Sequence, residues 1–407
     1  MKYSTINPMT DRNLSYQIPM SSPDLSEVEI NAVRRVLGTT SLSIGPQIEL
    51  FENEIKEFTG SRFAIGVNSG TSGLHLCVRA AGIEANDMVI TTPFSFVAST
   101  NVILFEKAIP VFVDVDPGTG NINVEKLAEV VKDIQVSPRL ANRWLPRKGA
   151  ETIGKLKAIL PVDVFGQPAD LDSICEIAKS ANLQVIEDSC EALGTEYKGR
   201  KAGTLGDYGV FGFYPNKQIT TGEGGMIVTD DEEAAEFMRA LRNQGRAPGD
   251  TWLSHTYLGY NYRMDELSAA LGYAQMSRIE HLMQTRQQVA DWYGLRLAEM
   301  PGIEPPMVEP TTTRSSWFVY VIRLPHGANR QKIAGILAEK GIPVRPYFLP
   351  IHLQPYMVQQ FGYRAGDFPV TEDLGERGLA LPFSGVMTED QVDQVCRELQ
   401  QALIHAR

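Results

Sequence analysis

From about residue 60 the chain alternates short, almost wholly apolar runs with amphipathic stretches. The runs are RFAIGVN, DMVITT, PVFVDVD, KAILPVDVFG, LQVIEDS, DYGVFGF and GMIVTD. Segments such as LDSICEIAKSANL, with apolar residues at helical spacing, lie between several of them. Strands apolar on both faces suit a parallel sheet covered by helices on each side. The alternation therefore predicts right-handed βαβ units and an α/β domain over about residues 30–250. Residues 263–300 contain no proline and predict one long helix joining two domains. After the break MPGIEPPMVEPTTT come WFVYVIRL as a strand, QKIAGILAEKG as a helix, and a closing helix near TEDQVDQVCRELQQALI. That order predicts a smaller α+β domain.

Composition narrows the function. The 407 residues carry 38 Lys+Arg against 49 Asp+Glu, a net charge of −11. Proteins that bind nucleic acid or anionic membranes do so with clustered cations, so both partner classes are excluded. An anionic substrate must then meet a local site rather than a favourable overall field. No stretch reaches the roughly 20 apolar residues that cross a bilayer. The opening MKYSTINPMTDRNLSYQIPM lacks the basic start and apolar run of a secretory signal. Cys77, Cys175, Cys190 and Cys396 are scattered without a CxxC pair, which reads as reduced thiols of a cytoplasmic protein with no metal site. The segment 134–154 is locally basic through Arg139, Arg143, Arg147 and Lys148. It reads as a solvated excursion, or as a long loop that touches a nucleotide diphosphate.

Three places could carry chemistry. In FAIGVNSGTSGLHL a strand runs through Asn68–Gly73 into a helix, so small residues leave the helix N-terminal amides open to a phosphate. Ser69, Thr71 and Ser72 could add donors, although Ser and Thr are also ordinary helix caps. In LQVIEDS, Asp188 ends an apolar run, where open parallel sheets present ligand-binding residues. Asp163 ends another run, and Asp114 precedes a turn sequence. Residues 194–225 hold nine of the 35 glycines and bracket Lys217. Glycines around the strand-like Tyr208–Tyr214 mark close backbone approach. Burying a lysine disfavours its charged form and yields an amine able to attack a carbonyl. A phosphate cradle, a strand-end aspartate and an imine-forming lysine together fit pyridoxal 5′-phosphate.

With these residues in place, the sequence resembles the DegT/DnrJ/EryC1/StrS family of pyridoxal-phosphate aminotransferases. The matching motifs include NSGTSGLHL, TTPFSFVAST, VIEDSCEALG, FGFYPNKQITTGEGGMIVTD, GYNYRMDELSAALGYAQ and RPYFLPIHLQPY. The resemblance implies an α/β type I (aspartate aminotransferase-like) fold, a large domain with a mostly parallel sheet and a smaller α+β C-terminal domain. It divides the chain into residues 1–260 and 261–407 and implies a homodimer with active sites at the interface. Lys217 resembles the Schiff-base lysine, forming an aldimine with the cofactor, and Asp188 the partner of the pyridine nitrogen. Gly70 and Thr71 match the phosphate turn, and Phe96 the aromatic stacked on the ring. Asn261 matches an asparagine reaching the neighbouring subunit's phosphate. Arg263 is a weaker candidate for the site, read as structural. Tyr347 and His352 fall where the family lines its sugar pocket.

Two positions depart from the pattern. Gly212 stands where a phosphate-binding serine is common, so one hydroxyl donor is missing. Glu191 stands where His or Gln is usual near the ring's phenolic oxygen, and the expectation is a protonated or averted carboxyl. The implied reaction is a ping-pong transfer from glutamate, released as 2-oxoglutarate, to the ketone of a nucleotide-linked keto sugar. A cyclitol ketone is the alternative acceptor. A dehydratase or a regulator on the same fold are further alternatives, both of which would be expected to lose Lys217 or Asp188.

Overall fold

The computed structural model describes residues 18–406. Most of the stretch read as lacking a secretory signal lies outside them. All seven apolar runs form strands of one sheet. The first five are β1 (Phe63–Val67), β2 (Met88–Thr91), β3 (Ile109–Phe112), β4 (Leu156–Ile159) and β5 (Gln184–Asp188). A two-stranded hairpin follows, β6 (Glu196–Tyr197) and β7 (Arg200–Lys201), before β8 (Tyr208–Gly212) and β9 (Gly225–Thr229). The sheet order is β1-β9-β8-β5-β4-β2-β3. Only β9 runs against its neighbours, pairing antiparallel with both β1 and β8. The carboxyl ends of β1, β2, β5 and β8 therefore share one edge, where ligands of open parallel sheets bind.

The apolar composition of these strands follows from their surroundings. One cluster, including Val67, Leu74, Val162, Ile186 and Val210, packs helices against one face of the sheet. Others, around Ile90, Val111 and Ile174 and around Phe51, Phe211 and Met226, bury the remaining surface. Glycines permit close backbone approach where the sequence suggested it. A side chain on Gly209 would overlap the Gly203 carbonyl at 1.8 Å.

A separate core gathers the C-terminal elements around Tyr293, Ile322, Leu337, Leu381 and Val395. It is built on β11 (Tyr320–Arg323) paired antiparallel with β12 (Gly378–Leu381), after β10 (Thr312–Arg314) joins the β6–β7 hairpin. The helices Ile279–Leu297, Arg330–Glu339 and Glu389–His405 enclose it.

The single long helix expected over 263–300 is two helices, Glu266–Met276 and Ile279–Leu297. The break has a structural cause. Ser277 Oγ donates back to the Ala274 carbonyl, and Arg278 leaves helical geometry to pair with Asp24 at 2.8 Å and Glu29 at 2.9 Å. No described helix is long and apolar enough to cross a membrane.

Candidate active site

The shared sheet edge brings the three candidate places together. After β1 the chain passes Asn68 and starts the helix Gly70–Ala80, capped by Ser69, whose Oγ accepts from Ser72 N at 3.1 Å. Ser72 Oγ in turn donates to Asn68 Oδ1 at 2.7 Å. Ser69 and Ser72 are thus engaged in capping. The open donors of the turn are the first amides, at Gly70 and Thr71, which have no intrahelical acceptor.

Gly70 lies against Gly212, Gly225 and Cys190. A side chain on Gly225 would stand 2.7 Å from Gly70 N, and one on Gly70 would stand 2.7 Å from Cys190 Sγ. A side-chain carbon on Gly212 would meet Cys190 Cβ at 3.3 Å. The missing serine at 212 is therefore matched by Cys190, which fills the adjoining volume without supplying a hydroxyl. Burial and the Asp188 carboxylate push that thiol well above its usual range.

Asp188, at the end of β5, is buried. Its Oδ2 accepts from Ser99 Oγ at 2.6 Å and its Oδ1 from Cys190 N at 3.2 Å. Ser99 belongs to the helix Ala98–Phe105 that follows β2. Phe96, just before that helix, is 62% exposed. Asp163 is also buried but is engaged elsewhere, accepting from Ser189 Oγ at 2.6 Å and Ala169 N at 2.9 Å. Burial among other carboxylates pushes it upward. Asp114 accepts from Thr371 N and Oγ1, a structural role.

Lys217 follows β8 in a tight turn, its N–H donating to the Tyr214 carbonyl at 2.9 Å. Its side chain is only 14% exposed, and Nζ lies 3.8 Å from the centroid of the Phe318 ring. Glu191 Oε1 stands 3.5 Å from Nζ, while Glu191 Oε2 accepts from Phe165 N at 2.8 Å. Glu191 is thus turned onto the lysine rather than away from the site. Burial raises it above the ordinary glutamate range despite the lysine's opposing pull. Phe165 takes a left-handed backbone, φ 59°, uncommon for a bulky residue. Its ring stacks on Phe348 at 5.0 Å and Tyr347 at 6.3 Å. Tyr347 lines an aromatic cleft with Phe94, Phe165 and Trp317, closed at one side by Arg323. Burial and the charge of Glu191 raise its hydroxyl.

His352 sits deep in the protein. It is 0% exposed, with Nε2 3.0 Å from Glu372 Oε1, inside a cluster with Phe368 and Tyr363. The short turn Ile351–Leu353 that carries it is pinned by the Ile351 N–H donating to the Pro93 carbonyl at 2.8 Å. Burial lowers its basicity. Asn261 is exposed and its carbonyl accepts from Asn68 Nδ2 at 3.3 Å, so it borders the phosphate turn of its own protomer. Arg263 donates to Asn243 and Gln244 side chains at 2.7 Å, the structural role expected. In the 134–154 segment, Arg143 pairs with Asp133 at 2.6 Å and Arg147 with Asp367 at 2.6 Å. Two of its four cations are thus spent on this chain's own carboxylates.

Two residues at the site had no sequence signal. Phe318 reaches Lys217 across about a hundred residues of chain. Arg286, buried on the helix Ile279–Leu297, donates to the carbonyls of Trp317 at 3.0 Å and Phe318 at 3.3 Å, and to that of Lys217. It ties the lysine's main chain to Trp317 and Phe318, just before β11. Burial pushes its guanidinium down to about 10. Arg286→Met would strand these buried carbonyls, so it is expected to cost about 2–4 kcal/mol. A thermal melt showing an unchanged midpoint would refute that role.

The donor set fits pyridoxal phosphate: amides in a glycine-lined cradle too tight for side chains, a buried carboxylate, and a sheltered amine at one sheet edge. Comparison with known proteins agrees. Residues 23–400 match the DegT/DnrJ/EryC1/StrS aminotransferase family. The chain is 36% identical to a GDP-perosamine synthase of Caulobacter vibrioides, over 95% of this chain and 99% of that one. It is 35% identical to the spore coat polysaccharide biosynthesis protein SpsC of Bacillus subtilis, over 93% and 95%. Helicobacter pylori PseC, an aminotransferase in pseudoaminic acid biosynthesis, superposes with a TM-score of 0.84 at 28% identity, covering 95% of this chain and 99% of that one.

Proposed function

The chain belongs to the DegT/DnrJ/EryC1/StrS aminotransferase family, and from that premise we propose that it transfers an amino group from glutamate to the ketone of a nucleotide-linked keto sugar. The observation that carries this reading is the meeting of Lys217, Asp188 and the Gly70 helix N-terminus at one sheet edge. Relatives named for perosamine, spore-coat polysaccharide and pseudoaminic acid support a sugar acceptor.

Bound there, pyridoxal phosphate supplies an electron sink for the carbon that gains or loses the amino group. The amides of Gly70 and Thr71 hold the phosphate, with the helix dipole favouring its charge. Asp188, its orientation fixed by hydrogen bonds from Ser99 and Cys190, would hold the ring nitrogen in its protonated form. Phe96 would stack on the ring. Lys217 Nζ would hold the cofactor and, as a free amine, would take the proton from the substrate carbon. Tyr347 and the aromatic cleft beside it shape the acceptor pocket.

The reading divides the chain at 260/261 and pairs two copies, Asn261 reaching the other's phosphate site. Trp252 (73% exposed) and Leu258 (82% exposed) give that neighbourhood an apolar surface suited to such pairing. Retention of both Lys217 and Asp188 favours transamination over the dehydratase and regulator alternatives. The test is steady-state kinetics with glutamate and a panel of nucleoside-diphosphate keto sugars, with a keto cyclitol alongside. Parallel double-reciprocal lines with a keto sugar are expected. Intersecting lines, or turnover of the cyclitol alone, would overturn the proposal.

A further inference from the structure

Resting on the reading just given, we propose that Glu191 is the proton partner of Lys217, a positioning residue that takes up the proton Nζ releases and hands it back. Among the described residues Glu191 makes the only ion pair of Lys217. The geometry is set from both sides. Phe165 N–H anchors Oε2 at 2.8 Å, which leaves Oε1 directed at Nζ, 3.5 Å away. The Phe318 ring lies under Nζ at 3.8 Å and shelters the amine from water.

A glutamine at this place, one of the residues usual in the resemblance, could accept a hydrogen bond but not a proton. Glutamate can do both. In the exchange one Nζ–H bond breaks and one Oε1–H bond forms, the electron pair of the former staying on nitrogen. A buried ion pair thereby becomes a neutral amine beside a neutral acid, with nothing oxidised or reduced. The neutral amine is the form that attacks a carbonyl or removes a proton from carbon. Burial favours the neutral acid as well, consistent with the upward displacement of Glu191.

The groups facing Glu191 are Lys217, the carboxyls of Asp188 and Asp163, the Cys190 thiol and the Tyr347 hydroxyl. Only Lys217 among them is cationic. When ionised, Glu191 therefore stabilises positive charge on the lysine nitrogen. Removing it takes that negative charge from beside the amine.

The experiment is a pH titration of the visible absorption of the cofactor-loaded protein, wild type against Glu191→Gln. A midpoint lower by about one unit or more is expected for the variant. Glu191→His serves if the glutamine variant does not fold, and the same direction is expected. An unchanged midpoint in a folded, loaded variant overturns the inference. Failure of the wild type to load cofactor would instead defeat the proposed function. In that case acylation of Lys217 against pH, read by peptide mass spectrometry on the unloaded proteins, decides the inference. Equal midpoints in wild type and variant would overturn it.

Discussion

Lys217→Ala is expected to lower transamination at least about 10⁴-fold while leaving the fold intact. General acid–base catalysis by a positioned side chain is worth roughly 10²–10⁴, and in the proposed function the same side chain would also form the covalent tether. No neighbour can take over. Arg286 is buried and directed at main-chain carbonyls. Lys198 and Lys201 are engaged with Asp172 and Glu196. The fold should survive because Lys217 fills no core position and its one carboxylate partner, Glu191, keeps the Phe165 amide. Borohydride reduction followed by intact mass measurement should show bound cofactor on the wild type and none on the variant. Activity within tenfold of wild type would remove Lys217 from the mechanism.

Asp188→Asn should give the second largest loss. The substitution keeps the shape that Ser99 and Cys190 hold in place and deletes the charge. A carboxylate about 4 Å from a cationic ring nitrogen is worth about 4 kcal/mol at an effective dielectric of 20. That corresponds to roughly a 10³-fold fall in kcat. Unlike the lysine variant, this one should still carry covalently attached cofactor, because the tether does not involve position 188. Measured kcat within fivefold of wild type would mean that the ring nitrogen does not depend on Asp188.

The two variants probe residues that could be read from sequence, Asp188 because it ends an apolar strand and Lys217 because glycines bracket it. All seven strands of the sheet were legible because a sheet covered on both faces needs continuous apolar runs; β5 ends on Asp188, and the turn after β8 carries Lys217. Glycine clustering around Lys217 was equally readable, since Gly209 and Gly225 have no room for a side chain. Features set by distant tertiary contacts were not. The helix break at Ser277–Arg278 depends on Asp24 and Glu29, far away in sequence. Phe318 and Arg286 reach Lys217 only once the C-terminal elements pack. His352 occupies a matching motif position, yet its partner Glu372 draws it into an aromatic cluster. The orientation of Glu191 was likewise decided by the backbone of Phe165, which no local pattern announces.

The most direct test of the account is the visible absorption spectrum of the purified protein given pyridoxal phosphate, recorded before and after glutamate. The predicted result is a visible band that glutamate bleaches with release of one 2-oxoglutarate per site, and that Lys217→Ala never develops. A wild type without the band, or a Lys217→Ala protein that shows the same bleachable band, would contradict it.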